Sequence, residues 1–168
     1  ITAETLEEAV ATNSIESTRT EMLCQWVDSL QSPWVYGSIE ACSQSDLELP
    51  VGNQTVLAFD VAPTKRSGAL VAAQVLPDGK IGAGLMQLWS SEVAIDEIKM
   101  ASDINEWAMK YRPMKIMYDK YATQSIAQRL EQSGHRVEDC SGQSFYQACS
   151  DLGDSLANLR LVHSGQPD

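Results

Sequence analysis

The sequence predicts an α/β domain built on a mixed sheet, with three antiparallel strands first, parallel strands after them, and helices on its flanks. Three observations support this. Apolar runs at 55–62, 68–76 and 81–89 follow one another with only turn segments between them. From residue 95 onward, helical periodicity alternates with short strand-like runs. Two of the apolar runs end in an aspartate, Asp60 after Thr55-Val56-Leu57-Ala58-Phe59 and Asp119 after Met114-Lys115-Ile116-Met117-Tyr118, and open α/β sheets bind ligands at their carboxyl edges.

Residues 1 to about 32 read as an acidic helical segment. Ile15, Met22, Leu23, Trp26, Val27 and Leu30 recur at helical spacing behind the capping candidates Asn13 and Ser14, and Pro33 ends the pattern. Residues 43–54 carry turn-forming types and read as a loop. The run 55–62 is apolar at consecutive positions, which suits a central strand buried on both faces. Pro77-Asp78-Gly79-Lys80 supplies a hairpin turn, since Asp-Gly accepts the positive φ of tight turns. Ile95, Ile98, Ala101, Ile104 and Ala108 make a helix stripe capped near Ser91 and stopped by Pro113. The strand 114–118 follows, then a helix carrying Ala122, Ile126 and Leu130 and closed by Gly134, a short strand at about 135–139, and a final helix with Phe145, Ala148, Cys149, Leu152 and Leu156. The expected order is βββαβαβα.

At 168 residues the chain fits one elaborated domain that buries roughly 70% of its unfolded surface. Hydrophobic residues at 43% and charged residues at 21% are globular values, and no apolar run approaches the roughly 18 residues that span a bilayer. The start Ile1-Thr2-Ala3-Glu4-Thr5 lacks the features of a signal peptide and reads as the start of a piece of a longer protein. Cys24, Cys42, Cys140 and Cys149 show no zinc or disulfide-framework spacing, so reduced thiols in a cytoplasm are expected. A net charge of -11 argues against a protein that coats DNA through lysine and arginine. It does not exclude a nuclease, because screening over about 8 Å lets Lys65, Arg66 and Lys120 beside the two aspartates act apart from distant acids.

This element order is that of the ribonuclease H-like fold, in which the first and fourth strands are neighbours, so Asp60 and Asp119 would meet. Two carboxylates at about 5 Å repel by roughly 3 kcal/mol at an effective dielectric near 20, and a cation relieves that repulsion. Magnesium or manganese takes oxygen ligands, and two such ions serve phosphodiester cleavage. The plainer reading is that each aspartate caps a strand end or the helix after it. Gly79, Gly82 and Gly84 do not complete a dinucleotide fingerprint, because Gln87 stands where the third glycine belongs. There is no phosphate loop. His135 and His163 lack metal-ligand spacing, and Trp26, Trp34, Trp89 and Trp107 read as packing residues.

The stretch from Leu57 to Ala73, with Phe59-Asp60-Val61-Ala62-Pro63 at its heart, resembles the first nuclease motif of tailed-bacteriophage terminase large subunits. Met117-Tyr118-Asp119 with Ile126-Ala127-Gln128-Arg129-Leu130 and Gly134 resembles the second motif, and Leu159-Arg160-Leu161-Val162-His163-Ser164-Gly165-Gln166-Pro167 the segment that follows it. The likeness spans about residues 34–168. It implies a ribonuclease H-like endonuclease domain, residues 51–168, that cleaves concatemeric double-stranded DNA, preceded by a joining segment, residues 1–50. It also implies two Mg2+ or Mn2+ ions on Asp60 and Asp119, packaging partners (small subunit, portal, procapsid) and action in the cytoplasm of an infected host. The family's third metal-binding aspartate falls further downstream, and Asp151, Asp154 and Asp168 match no motif position. The fold is therefore expected to be C-terminally truncated and the 168-residue chain weakly active at most, an expectation that robust Mg2+- or Mn2+-dependent cleavage by this chain would contradict. The alternatives from other classes are a non-catalytic docking module of the same fold, or a resolvase or transposase.

Overall fold

Three successive runs pair as the antiparallel meander that their turn chemistry predicts. In the computed structural model, which describes residues 2–12, 34 and 37–165, β1 is Thr55–Val61, β2 Ser67–Val75 and β3 Ile81–Ser90. The β2–β3 turn closes through Gly79 N–H to the Leu76 carbonyl at 2.9 Å, with Gly79 at φ 83°, a value that glycine adopts without steric cost. β4 (Lys115–Tyr118) joins β1 in parallel, β5 (Val137–Asp139) joins β4 in parallel, and β6 (Leu161–His163) joins β3 in parallel. The strand order is β5-β4-β1-β2-β3-β6.

The chain divides into two compact units, Ile1–Tyr36 and Gly37–Asp168. In the first, α1 spans Ala3–Thr12; the stripe expected from Ile15 to Leu30 and its caps Asn13 and Ser14 lie outside the described residues. The second holds the sheet with α2 (Ser38–Ala41), α3 (Glu97–Tyr111), α4 (Lys120–Gln132) and α5 (Gln143–Ala157).

Side-chain alternation gives the sheet two unlike faces. Leu57, Phe59 and Val61 of β1 and Leu70 and Ala72 of β2 are buried with Met100, Ile104 and Ala108 of α3 and Ile126, Ala127 and Leu130 of α4. The alternate positions, Val56, Ala58 and Asp60 on β1 and Ala69, Val71, Ala73 and Val75 on β2, are half-buried or exposed. The expectation that β1 is buried on both faces therefore holds for one face only. On β3 the pairing skips Met86, so Leu85 faces Val71 and Leu88 faces Ala69; this bulge puts both leucines on the open face. Gly82, whose added Cβ would lie 3.0 Å from the side chains of Leu49 and Leu76, lets the 47–49 segment close over β3. The glycines of that run serve packing.

The structure differs from the expected elements in three further places. The helix expected to be capped near Ser91 starts at Glu97, because Asp96 accepts the Ile98 and Lys99 N–H groups. This shifts the buried stripe to Met100, Ala101, Ile104, Ala108 and Tyr111 and leaves Ile98 exposed. α5 forms where its periodicity predicts, but Phe145, Ala148, Cys149 and Leu152 are exposed and Leu156 is buried. The sixth strand, β6, has no counterpart in the expected order; it is held on one side by β3 and on the other by Cys42 and Gln44, whose backbones bond His163.

Candidate active site at the carboxyl edge of the sheet

β1 and β4 run in parallel with Val56 opposite Lys115, Leu57 opposite Ile116 and Ala58 opposite Met117. The rings of Phe59 and Tyr118 continue that register, stacked with centroids 6.2 Å apart on the core side. One residue further on each strand stand Asp60 and Asp119, with no element between them. Strand alternation sends both to the open face, and Asp119 has the extended dihedrals (φ -99°, ψ 117°) usual for a residue that caps a helix.

Each carboxylate is anchored by one backbone N–H. Asp60 Oδ1 accepts from Val61 at 2.8 Å and Asp119 Oδ1 from Tyr121 at 2.9 Å. Among the described residues neither aspartate enters a salt bridge. Each therefore keeps acceptor capacity beyond that one bond.

Two of the three cations expected beside them are engaged. Lys65 lies in the β1–β2 turn at φ 56°, and its Nζ is 2.8 Å from Glu97 Oε1. The other oxygen of Glu97 accepts the Ser125 hydroxyl of α4. Lys65 first, then Ser125, hold the Glu97 carboxyl below its ordinary range. Lys120 Nζ is 3.2 Å from Asp139 Oδ2 and sits over the ring of Tyr121 at 5.4 Å. Arg66 is exposed and in no salt bridge among the described residues; its carbonyl holds the Ser91 N–H.

A third strand-ending acid, Asp139, escaped the sequence reading. It lies opposite Tyr118, so alternation turns it toward α4, where it accepts from the Lys120 N–H at 3.3 Å and the Ser141 hydroxyl at 2.7 Å. The Ser141 bond above all keeps its carboxyl below the usual range. Its place at the end of Arg136-Val137-Glu138-Asp139 was the available signal.

Among the described residues no group of three or more His, Cys, Asp or Glu side chains is placed to hold a metal ion. The Asp60–Asp119 pair offers hard oxygen donors of the type Mg2+ and Mn2+ take, and such ions are commonly held by one or two carboxylates with substrate phosphate and water completing the shell. The donor set fits as part of such a site.

A scan against protein-family models gave no match, and neither did a search of curated proteins. Solved structures did match. The large terminase of bacteriophage HK97 superposes with a TM-score of 0.66 at 17% identity over 96% of this chain and 40% of its own. The large terminase nuclease of thermophilic phage G20c with bound magnesium gives 0.57 at 10% identity over 79% and 75%. The large terminase of a further thermophilic bacteriophage gives 0.54 at 9% identity over 97% and 40%. The chain thus spans less than half the length of the first and third of these proteins. With the mixed six-stranded sheet, these likenesses establish that the chain has the ribonuclease H-like fold of phage large-terminase nucleases.

Proposed function

We propose that this chain is the nuclease part of a phage DNA-packaging terminase large subunit, a divalent-metal-dependent endonuclease acting on double-stranded DNA. In this reading residues 51–168 form the nuclease domain and residues 1–50 the joining segment. The observation that supports the proposal is the parallel register of β1 and β4, which continued two residues past Ala58 and Met117 brings Asp60 opposite Asp119, both free of ion pairs among the described residues, in a fold shared with terminase nucleases. Asp60 and Asp119 would hold Mg2+ or Mn2+, and such ions supply an activated water and stabilise the leaving oxygen of a phosphodiester. The chain's own contribution is orientation: the Val61 and Tyr121 N–H groups each fix one oxygen of the two acids.

Arg66, exposed two residues before Gly68 on β2, is the cation best placed to meet a phosphate backbone. Lys65 and Lys120 would reach one only by giving up Glu97 and Asp139. A third metal-binding acid belongs outside these residues in this reading. The small subunit, portal and procapsid as partners, and the host cytoplasm as the place of action, follow from the same likeness. Among the described residues no helix is long and apolar enough to cross a membrane.

Asp60→Asn and Asp119→Asn in the full-length protein test the proposal. Each is expected to lower Mn2+-dependent cleavage of duplex DNA by about two orders of magnitude or more with folding intact by circular dichroism. Unchanged cleavage in either variant would remove the nuclease assignment and favour a docking module.

A further inference from the structure

The start of α4 is built differently from an ordinary helix start. Thr123, four residues after Asp119, has non-helical dihedrals (φ -128°, ψ 16°) and is fully buried. The kink separates a first turn, residues 120–122, from a helix body that Ile126, Ala127 and Leu130 anchor in the core. Thr123 closes the break through both of its donors, which converge on one acceptor: its N–H reaches the Asp119 carbonyl at 3.1 Å and its hydroxyl reaches the same oxygen at 2.7 Å. From the other side, Asp139 of β5 holds the Lys120 N–H and Nζ. The peptide that leaves Asp119 is thus gripped on the helix side by Thr123 and on the strand side by Asp139.

A threonine hydroxyl bonding back four residues commonly bends a helix without further consequence. Here the carbonyl it grips belongs to a candidate metal ligand, and the kink frees the first turn from the helix axis. Asp119 itself has the extended dihedrals usual for a helix cap (φ -99°, ψ 117°), and the two bonds from Thr123 to its carbonyl fix the peptide plane from which its carboxylate departs. We propose that Thr123 is a positioning residue for Asp119, setting the direction of the carboxylate through the 119–120 peptide. The inference rests on the metal-dependent nuclease reading of the Asp60–Asp119 pair.

The test uses Thr123→Val, which keeps shape and removes the hydroxyl, and Thr123→Ser, which keeps the hydroxyl. Mn2+ affinity of the full-length protein is titrated without DNA and thermal midpoints are recorded. Positioning predicts that Val weakens Mn2+ binding about tenfold or more, in the range seen for groups that orient metal ligands, while Ser stays close to the parent. Val binding Mn2+ like the parent, or Ser losing as much as Val, overturns the inference. If Val does not fold, the Ser variant decides: retained affinity supports positioning and lost affinity overturns it. Asp119→Asn run beside them separates the layers. Loss of Mn2+ binding there with none in Thr123→Val sinks the positioning role alone, whereas no loss in Asp119→Asn sinks the nuclease reading and this inference together.

Discussion

Two helices of this domain begin with an aspartate, and the two beginnings do different work. Asp96 caps α3 in the ordinary way: one carboxylate oxygen accepts the N–H groups of Ile98 and Lys99 at 2.9 and 3.0 Å, and regular helix follows. Asp119 caps α4 with a single bond from Tyr121 at 2.9 Å, and the helix breaks at Thr123. Both accept from the first turn, where an anion also meets the positive end of the helix dipole. Only the second lies beside another strand-ending acid. Each cap uses one carboxylate oxygen, so what separates them is not spare acceptor capacity but the company that Asp119 keeps at the sheet edge.

Substitution can break this comparison. Asparagine caps about as well as aspartate, so Asp→Asn at either position should leave the thermal midpoint close to that of the parent. At 119 it should weaken Mn2+ binding and lower cleavage by about two orders of magnitude or more; at 96 it should change neither. Asp96→Ala, in contrast, removes a true cap and should cost about 1 kcal/mol of stability with Mn2+ affinity untouched, measured by denaturant unfolding alongside the metal titration. Metal binding that falls equally in Asp96→Asn and Asp119→Asn would show that the two caps are equivalent and that Asp119 has no separate role at the sheet edge.

The elements of the meander and the strand-end positions of the two acids were legible because their signals are local. Consecutive apolar positions, Asp78-Gly79 and a terminal aspartate each state their role within a few residues. Adjacency of β1 and β4 followed from element order, and the pairing of Ala58 with Met117 agrees with it. What stayed hidden depends on contacts far apart in the chain. β6 is only three residues long and exists because β3 and the Cys42–Gln44 segment flank it. The α5 stripe looks like a core stripe because periodicity records a face and not its partner; Phe145 is 54% exposed. Ser91 reads as the cap of α3 because serine is a fair cap, but the Ser91 N–H is held by the Arg66 carbonyl and the Ile95 N–H by that of Lys65. Those two bonds tie residues 91 and 95 to the β1–β2 turn and hold the segment out of the helix until Asp96. Thr123 gave no signal at all, since a threonine inside an apolar-periodic helix looks like filler.

The two helix beginnings are also tied to each other, which gives the mildest and most specific of these expectations. Glu97, the first residue of α3, accepts from Lys65 in the turn after Asp60 and from Ser125 of α4, so one carboxylate links the segments that follow both candidate acids. Because these bonds hold its pKa below the ordinary value, the unfolded chain takes up the proton first as pH falls. The stability Glu97 contributes is therefore full above its unfolded titration at about pH 4.3 and is lost as pH drops through the lower folded value. Glu97→Gln should accordingly unfold more easily than the parent at neutral pH, by a margin that salt reduces because Lys65 is well exposed. The margin should shrink below about pH 4 and vanish once the parent's glutamate is protonated. A margin that stays constant from about pH 7 to about pH 3 would mean that glutamine fails on shape, and that the link between the two helix beginnings is packing and not charge.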